Sequence, residues 1–416
     1  MFPPDGRRAL TILAAALLSA LPLVTVSSVT PARAAPARAA PARAAPACAN
    51  PPAPARPVAA VPWPQQRYAP QRLTALTTGA GVTVAVIDSG VDRRHPQLRD
   101  RVLDGADFLD PGGDGTRDCA GHGTGVASII AAGEGAGVAF RGLAPGVRIL
   151  PVRVSEQQVV EGRESGRTVS AAGFARAVRW AVDHDADVLN LSVVLYADDP
   201  DVRDAIDYAV RRDVIVVAAA GNLHDGGDPL PYPAGYDGVL GVGAVTPTGT
   251  RATFSQTGPY VDLVAPGSDV LMAAPGQGHQ RAEGTSYAVP FVAGTAALLR
   301  QYRPELSALE VTRRIVGTAD PAPGGPQDGY GAGVLNPYRA VVETGTGPLS
   351  TARPAMALPA ERVDPALPAR QHRRAAARDR ALLVATVTGG LAGVAVLLAV
   401  VLPRGTRRRW HPAEST

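Results

Sequence analysis

From about Gly81 to Val341, short apolar runs rich in β-branched residues alternate with longer segments whose apolar positions recur at helical spacing. Val82 to Ile87 predicts a buried strand, Val126 to Ala132 a helix, and Arg148 to Val154 a strand. Ala171 to Asp183 has helical periodicity, Asp187 to Ser192 reads as a strand, and Val202 to Arg211 as a helix. Val214 to Ala219 is apolar at every position, which predicts a strand covered on both faces. This βαβα alternation predicts an α/β domain over residues 71–342, with a central parallel sheet flanked by helices.

The chain ends break the pattern. A basic start at Arg7 and Arg8, an apolar run from Ala9 to Leu21 and an A-x-A site at Ala32–Ala34 read as a secretory signal over residues 1–35. An uncleaved anchor is the alternative, because apolar residues continue to Val26. The motif ARAAP then occurs three times; a Pro/Ala-rich extension covers 36–70, and from Pro46 to about Pro70 it is expected to run extended and bury little. Residues 343–380 return to Pro, Ala and Arg and read as a stalk, spanning roughly 35 Å as flexible coil.

Ala381 to Leu402 carries no charge, and as a helix it would be about 33 Å long, enough to cross a bilayer. Arginines lie on both sides of it, so charge alone leaves its orientation open. The signal decides: the globular domain is expected outside the cell membrane, with the basic tail 403–416 in the cytoplasm.

Composition changes this picture little. Hydrophobic residues make up 46% and charged residues 19%, as in a globular protein. All 41 basic residues are arginine, yet the net charge is only +4, which argues against nucleic acid as a partner. Two cysteines, Cys48 and Cys119, are an even count that in an exported chain suggests one disulfide.

Peptide hydrolysis at neutral pH needs an activated nucleophile, a base oriented to take its proton, and donors for the oxyanion. Asp88 ends the first strand, where side chains enter the crevice beyond a parallel sheet. His122, between glycines in CAGHGTGVAS, opens a helix. Ser286, in EGTSYAVPFVAGTAALL, also opens a helix, a place favouring either nearby negative charge or an ordinary N-cap. Asn222, in VVAAAGN, can donate to an oxyanion or simply form a turn. Singly each is weak. Their order, with every member at a strand end or helix start, is the signal.

The strings VIDSGV, GHGTGVAS, AAAGN and GTSYAVPFVAG resemble the four motifs of the subtilases, and the likeness extends from about Thr83 to Val341. The resemblance implies the three-layer subtilisin-like fold and a serine endopeptidase. No cofactor is expected, and although some subtilases bind calcium, the spacing of acidic residues here matches no calcium loop, so no metal ligands are assigned. It implies that Asp88 orients His122, that His122 is general base and acid, that Ser286 is the nucleophile, and that Asn222 lines the oxyanion hole. The appended segments resemble those of the mycosins, membrane-bound proteases of type VII secretion. That resemblance implies exported protein substrates, a membrane secretion complex as partner, and a Cys48–Cys119 bond tying the extension beside His122. A role as mainly a structural subunit of such a complex is the alternative.

Val194 departs from the family, standing where many subtilases have glycine beside the specificity pocket, and is expected to narrow or reshape that wall. Glu156 to Thr168 is expected to be an inserted surface loop, and the acidic residues between Asp100 and Asp118 a solvated loop.

Overall fold

The computed structural model describes residues 55–160, 163–323 and 329–343. The signal, the stalk, Ala381–Leu402 and Cys48 lie outside the described residues. Among the described residues no helix is long and apolar enough to cross a membrane.

Seven parallel strands form the central sheet. They are β1 (Thr83–Asp88), β2 (Ala106–Asp107), β3 (Arg148–Arg153), β6 (Val188–Leu191), β7 (Ile215–Ala219), β8 (Val239–Val245) and β9 (Leu263–Pro266), in the order β2-β3-β1-β6-β7-β8-β9. The continuous apolar runs are explained by two-sided burial. Val84, Val86, Ile215 and Val217 face one core, with Val126 and Ile130 of helix α3 (His122–Ala131) and Leu298 of helix α6 (Val289–Tyr302). The alternate residues Ala85, Ile87, Val216 and Ala218 face the other core. There they meet Phe174 of α4 (Ala171–Asp183) and Ile206 of α5 (Pro200–Arg211). Successive strand side chains point to opposite faces, so one apolar string serves two layers.

From β1 the chain first moves to β3 on one side, then crosses to β6 on the other. A crevice opens beyond the carboxyl ends of strands at such a switch point. Asp88, the last residue of β1, stands there.

Two expectations need correction. The extension does not run extended throughout. Trp63–Tyr68 (α1) and Pro70–Thr74 (α2) are helical, each with proline in its first turn, where a missing N–H costs nothing. Tyr68 is buried against Phe291 of α6, with ring centroids 5.7 Å apart. Residues 55–58 line the hairpin of β10 (Val270–Ala273) and β11 (His279–Ala282): Ala55 N–H donates to Gln277 O at 3.3 Å, and His279 N–H to Arg56 O at 3.1 Å. Proline-rich composition predicted a segment that buries little, and the buried ring of Tyr68 overturns that.

The insertion is likewise no plain loop. It holds the antiparallel pair β4 (Gln158–Val160) and β5 (Arg163–Ser165), and Glu156 at its base is fully buried. Glu156 pairs with Arg153 at 2.6 Å and Arg167 at 2.6 Å, while Arg153 also takes Asp107 at 2.6 Å and Asp110 at 3.1 Å. A buried guanidinium must be paired, so Arg153 recruits carboxylates from both segments.

Candidate active site

Asp88 is buried, and its Oδ1 accepts the Ser89 N–H at 2.7 Å and the His122 ring at 2.7 Å. A carboxylate only accepts, so His122 carries its proton on Nδ1 and leaves the Nε2 lone pair free. That is the tautomer a general base needs. Burial disfavours charge on His122, but the Asp88 carboxylate outweighs it, helped by Asp118, and the imidazole pKa lies above its ordinary value.

Sequence reasoning placed Asp118 in a solvated loop. It is instead buried, and its carboxylate accepts five hydrogen bonds. Oδ1 takes Ser89 Oγ at 2.9 Å, Ala120 N at 3.1 Å and Gly121 N at 2.8 Å; Oδ2 takes Thr124 N at 2.8 Å and Thr124 Oγ1 at 2.5 Å. These amides are the free donors at the start of α3, so Asp118 caps the helix that carries His122. Ser89 bridges to the other side: its N–H holds Asp88, and its Oγ accepts from Gly123 N at 2.9 Å. Strand end and helix start are thereby locked together. Burial raises the Asp118 pKa despite these donors.

Ser286 sits in a 3-10 turn, Thr285–Tyr287, just before α6 rather than on the helix itself. The turn is tied to the end of β7. Asn222 Oδ1 accepts from Thr285 N at 2.9 Å and Thr285 Oγ1 at 3.0 Å, which orients the carboxamide and leaves Nδ2 as the outward donor. From the third side, Asn190 Nδ2 donates to Ser192 Oγ at 2.9 Å, and Ser192 Oγ donates to Ser286 O at 3.0 Å.

Gly284 completes the arrangement. Its backbone, at φ 150° and ψ 152°, lies in a region only glycine occupies readily. A Cβ there would stand 3.1 Å from Ser286 Oγ and 3.5 Å from Asn222 Nδ2. The hydroxyl and the amide donor therefore flank one bare α-carbon. The Tyr287 ring, next in sequence, lies 5.1 Å from the His122 ring.

The fold thus gathers Asp88, His122, Ser286 and Asn222 at the carboxyl edge of the sheet. Cys119, three residues before His122, is buried, and among the described residues no cysteine is free. Val194 is half-buried against the apolar core, two residues beyond Ser192. Among the described residues no group of three or more His, Cys, Asp or Glu side chains is arranged to hold a metal.

Known proteins resemble this chain in sequence and fold. The Subtilase family model, Peptidase_S8, matches residues 79–333. Subtilisin Savinase of Lederbergia lenta is 37% identical over 278 residues, covering 67% of this chain and 97% of that protein. The serine protease MycP1, described as an essential component of the type VII (ESX-1) secretion system, superposes with a TM-score of 0.61 at 32% identity, over 70% of this chain and 92% of that one. MycP3, from the type VII (ESX-3) system, gives 0.59 at 33% identity, over 69% and 90%. The chain belongs to the subtilase family and is a subtilisin-like serine protease related to the MycP enzymes.

Proposed function

We propose that this protein is a membrane-anchored endopeptidase that cuts exported proteins beside a type VII secretion complex, using Asp88, His122 and Ser286 as its triad. The observation that carries the catalytic reading is the 2.7 Å Asp88–His122 bond, with Ser286 Oγ and Asn222 Nδ2 gathered around Gly284.

His122 Nε2 takes the proton of Ser286 Oγ as the oxygen attacks the scissile carbonyl. Asp88 steadies the imidazolium that forms. The oxyanion accepts from Asn222 Nδ2 and the Ser286 N–H, and one such donor is typically worth about 100- to 1000-fold in rate. His122 then protonates the departing amine, leaving an acyl-enzyme on Ser286. Water, deprotonated by the same imidazole, releases the acid product by the reverse path.

The placement rests on the sequence. A signal over 1–35 exports the domain, Ala381–Leu402 stops transfer, and residues 403–416 stay in the cytoplasm. Cys48 pairs with Cys119 and fastens the extension beside the His122 helix. Closing a loop of about 70 residues stabilises by roughly 4 kcal/mol in the chain-entropy picture. The relation to MycP1, a component of a secretion system, supports the proposed partner.

The test compares the exported proteins of cells carrying wild type, Ser286→Ala or a deletion. Fragments present only in wild type identify substrates. A secretion defect in the deletion that Ser286→Ala fully repairs would favour the structural role instead, and identical protein patterns in wild type and Ser286→Ala would sink the protease reading.

A further inference from the structure

Asn222 lies in the loop after β7 and must hold a donor in a fixed place, and Thr285 fixes only the far side of its carboxamide. Its backbone neighbours are held by one residue from a distant loop. Gln256 is fully buried. Its N–H donates to Gly221 O at 3.1 Å, and its Oε1 accepts the Leu223 N–H at 3.2 Å. One glutamine therefore grips the chain immediately before and immediately after Asn222.

The orientation of this carboxamide is settled by its other contacts. Nε2 donates to Pro229 O at 2.7 Å and to Tyr260 Oη at 3.2 Å, while Oε1 also accepts from Tyr196 Oη at 3.0 Å. A carbonyl can only accept, so the nitrogen must face Pro229 and the oxygen must face Leu223. The fit is close. A Cβ on Gly221, whose φ is +94°, would lie 2.1 Å from Gln256 Oε1. The loop has no room to settle toward Gln256 and is bonded against moving away.

We infer that Gln256 is a positioning residue for catalysis, setting the Asn222 donor through Gly221 and Leu223; this rests on the oxyanion role proposed above. Gln256 touches no reacting group. Its removal should slow the step in which the oxyanion forms and leave ground-state binding alone, because the donor matters only where charge develops.

The experiment is labelling of the full-length protein in detergent with a saturable peptidyl phosphonate, giving a maximal rate and a half-saturation concentration at each pH. Gln256→Leu should lower the maximal rate by about 10- to 100-fold, with half-saturation within about twofold. In an Asn222→Ala background the same change should have almost no further effect, since the two act through one donor. Gln256→Glu separates positioning from folding within one protein. As a carboxylate it faces Pro229 O with an acceptor and is slow. Once protonated it donates to Pro229 O and restores the grip, so its rate relative to wild type should rise as pH falls, whereas Gln256→Leu should show no such rise.

A Gln256→Leu protein labelled as fast as wild type overturns the inference, as does a loss that persists undiminished in Asn222→Ala. Wild type that takes no label at Ser286 at all overturns the catalytic reading itself, a different failure.

Discussion

Acid should loosen the extension, and the magnitude follows from two buried histidines. Val58 N–H donates to His279 Nδ1 at 3.1 Å, so that nitrogen is unprotonated and Nε2 carries the hydrogen toward Gln97 Oε1 at 2.8 Å. Gln97 is fixed in turn, with Nε2 on Gly133 O at 2.7 Å and Phe140 O at 2.8 Å. Its N–H donates to His95 Nδ1 at 3.2 Å, and His95 Nε2–H reaches Gly278 O at 3.1 Å. Every ring nitrogen has one assigned role, and each role requires a neutral imidazole. A proton on His279 Nδ1 would set N–H against the N–H of Val58.

Burial, with His95 adding repulsion, lowers the His279 pKa to about 4. Burial also lowers His95, outweighing its Gly278 bond and the Asp92 carboxylate. A histidine that is harder to protonate when folded makes the unfolded chain bind more protons, so stability falls as pH drops below the ordinary 6.5 and levels off near 4. At about 1.4 kcal/mol per pH unit, the His279 share of that loss is on the order of 3 kcal/mol.

For a domain of this size that corresponds to roughly 5–10 °C in melting temperature. The assay is thermal unfolding of wild type and His279→Gln between about pH 7 and pH 4. The variant should be less stable near neutrality yet lose less on acidification. Equal acid losses in the two proteins would refute the claim that a neutral His279 holds the extension.

Three further outcomes follow from the site. Asn222→Ala should lower kcat by about 100- to 1000-fold with KM nearly unchanged, measured on any peptide the wild type cuts. Asp118→Asn replaces an acceptor with a donor beside the Thr124 or Gly121 amides, so it should cost about 2 kcal/mol in denaturant unfolding. Losing that negative charge should also lower the His122 pKa, moving the acid limb of the pH–rate profile to lower pH. Gly278→Ala puts a Cβ 2.0 Å from Ala55 O, at a φ of +74°. Residues 55–62 should become sensitive to limited proteolysis while phosphonate labelling at Ser286 continues.

Much of this was legible because periodicity and punctuation are local. The run VTVAVI ends at Asp88, and glycines bracket His122 where α3 begins. What escaped depends on partners far along the chain. The turn holding Ser286 read as helix because its distortion comes from Asn222, 63 residues away, bonding Thr285. Asp118 read as solvated because its burial depends on amides that converge only once α3 packs against the end of β1. Glu156 looked like loop until Arg153 turned out to be buried beneath it. Gln256 stood in plain view within FSQTG, but no local pattern marks a glutamine that grips Gly221 and Leu223. The Pro/Ala-rich extension hid Tyr68, whose partner Phe291 lies across the core.

The central claim is that Ser286 is a nucleophile activated by the Asp88–His122 pair, and mass mapping of a fluorophosphonate adduct tests it most directly. Wild type should take one label, on the peptide containing Ser286. Ser286→Ala should take none, and His122→Ala should react slower by several orders of magnitude. Stoichiometric labelling at another residue, or equal labelling of wild type and Ser286→Ala, would contradict the account.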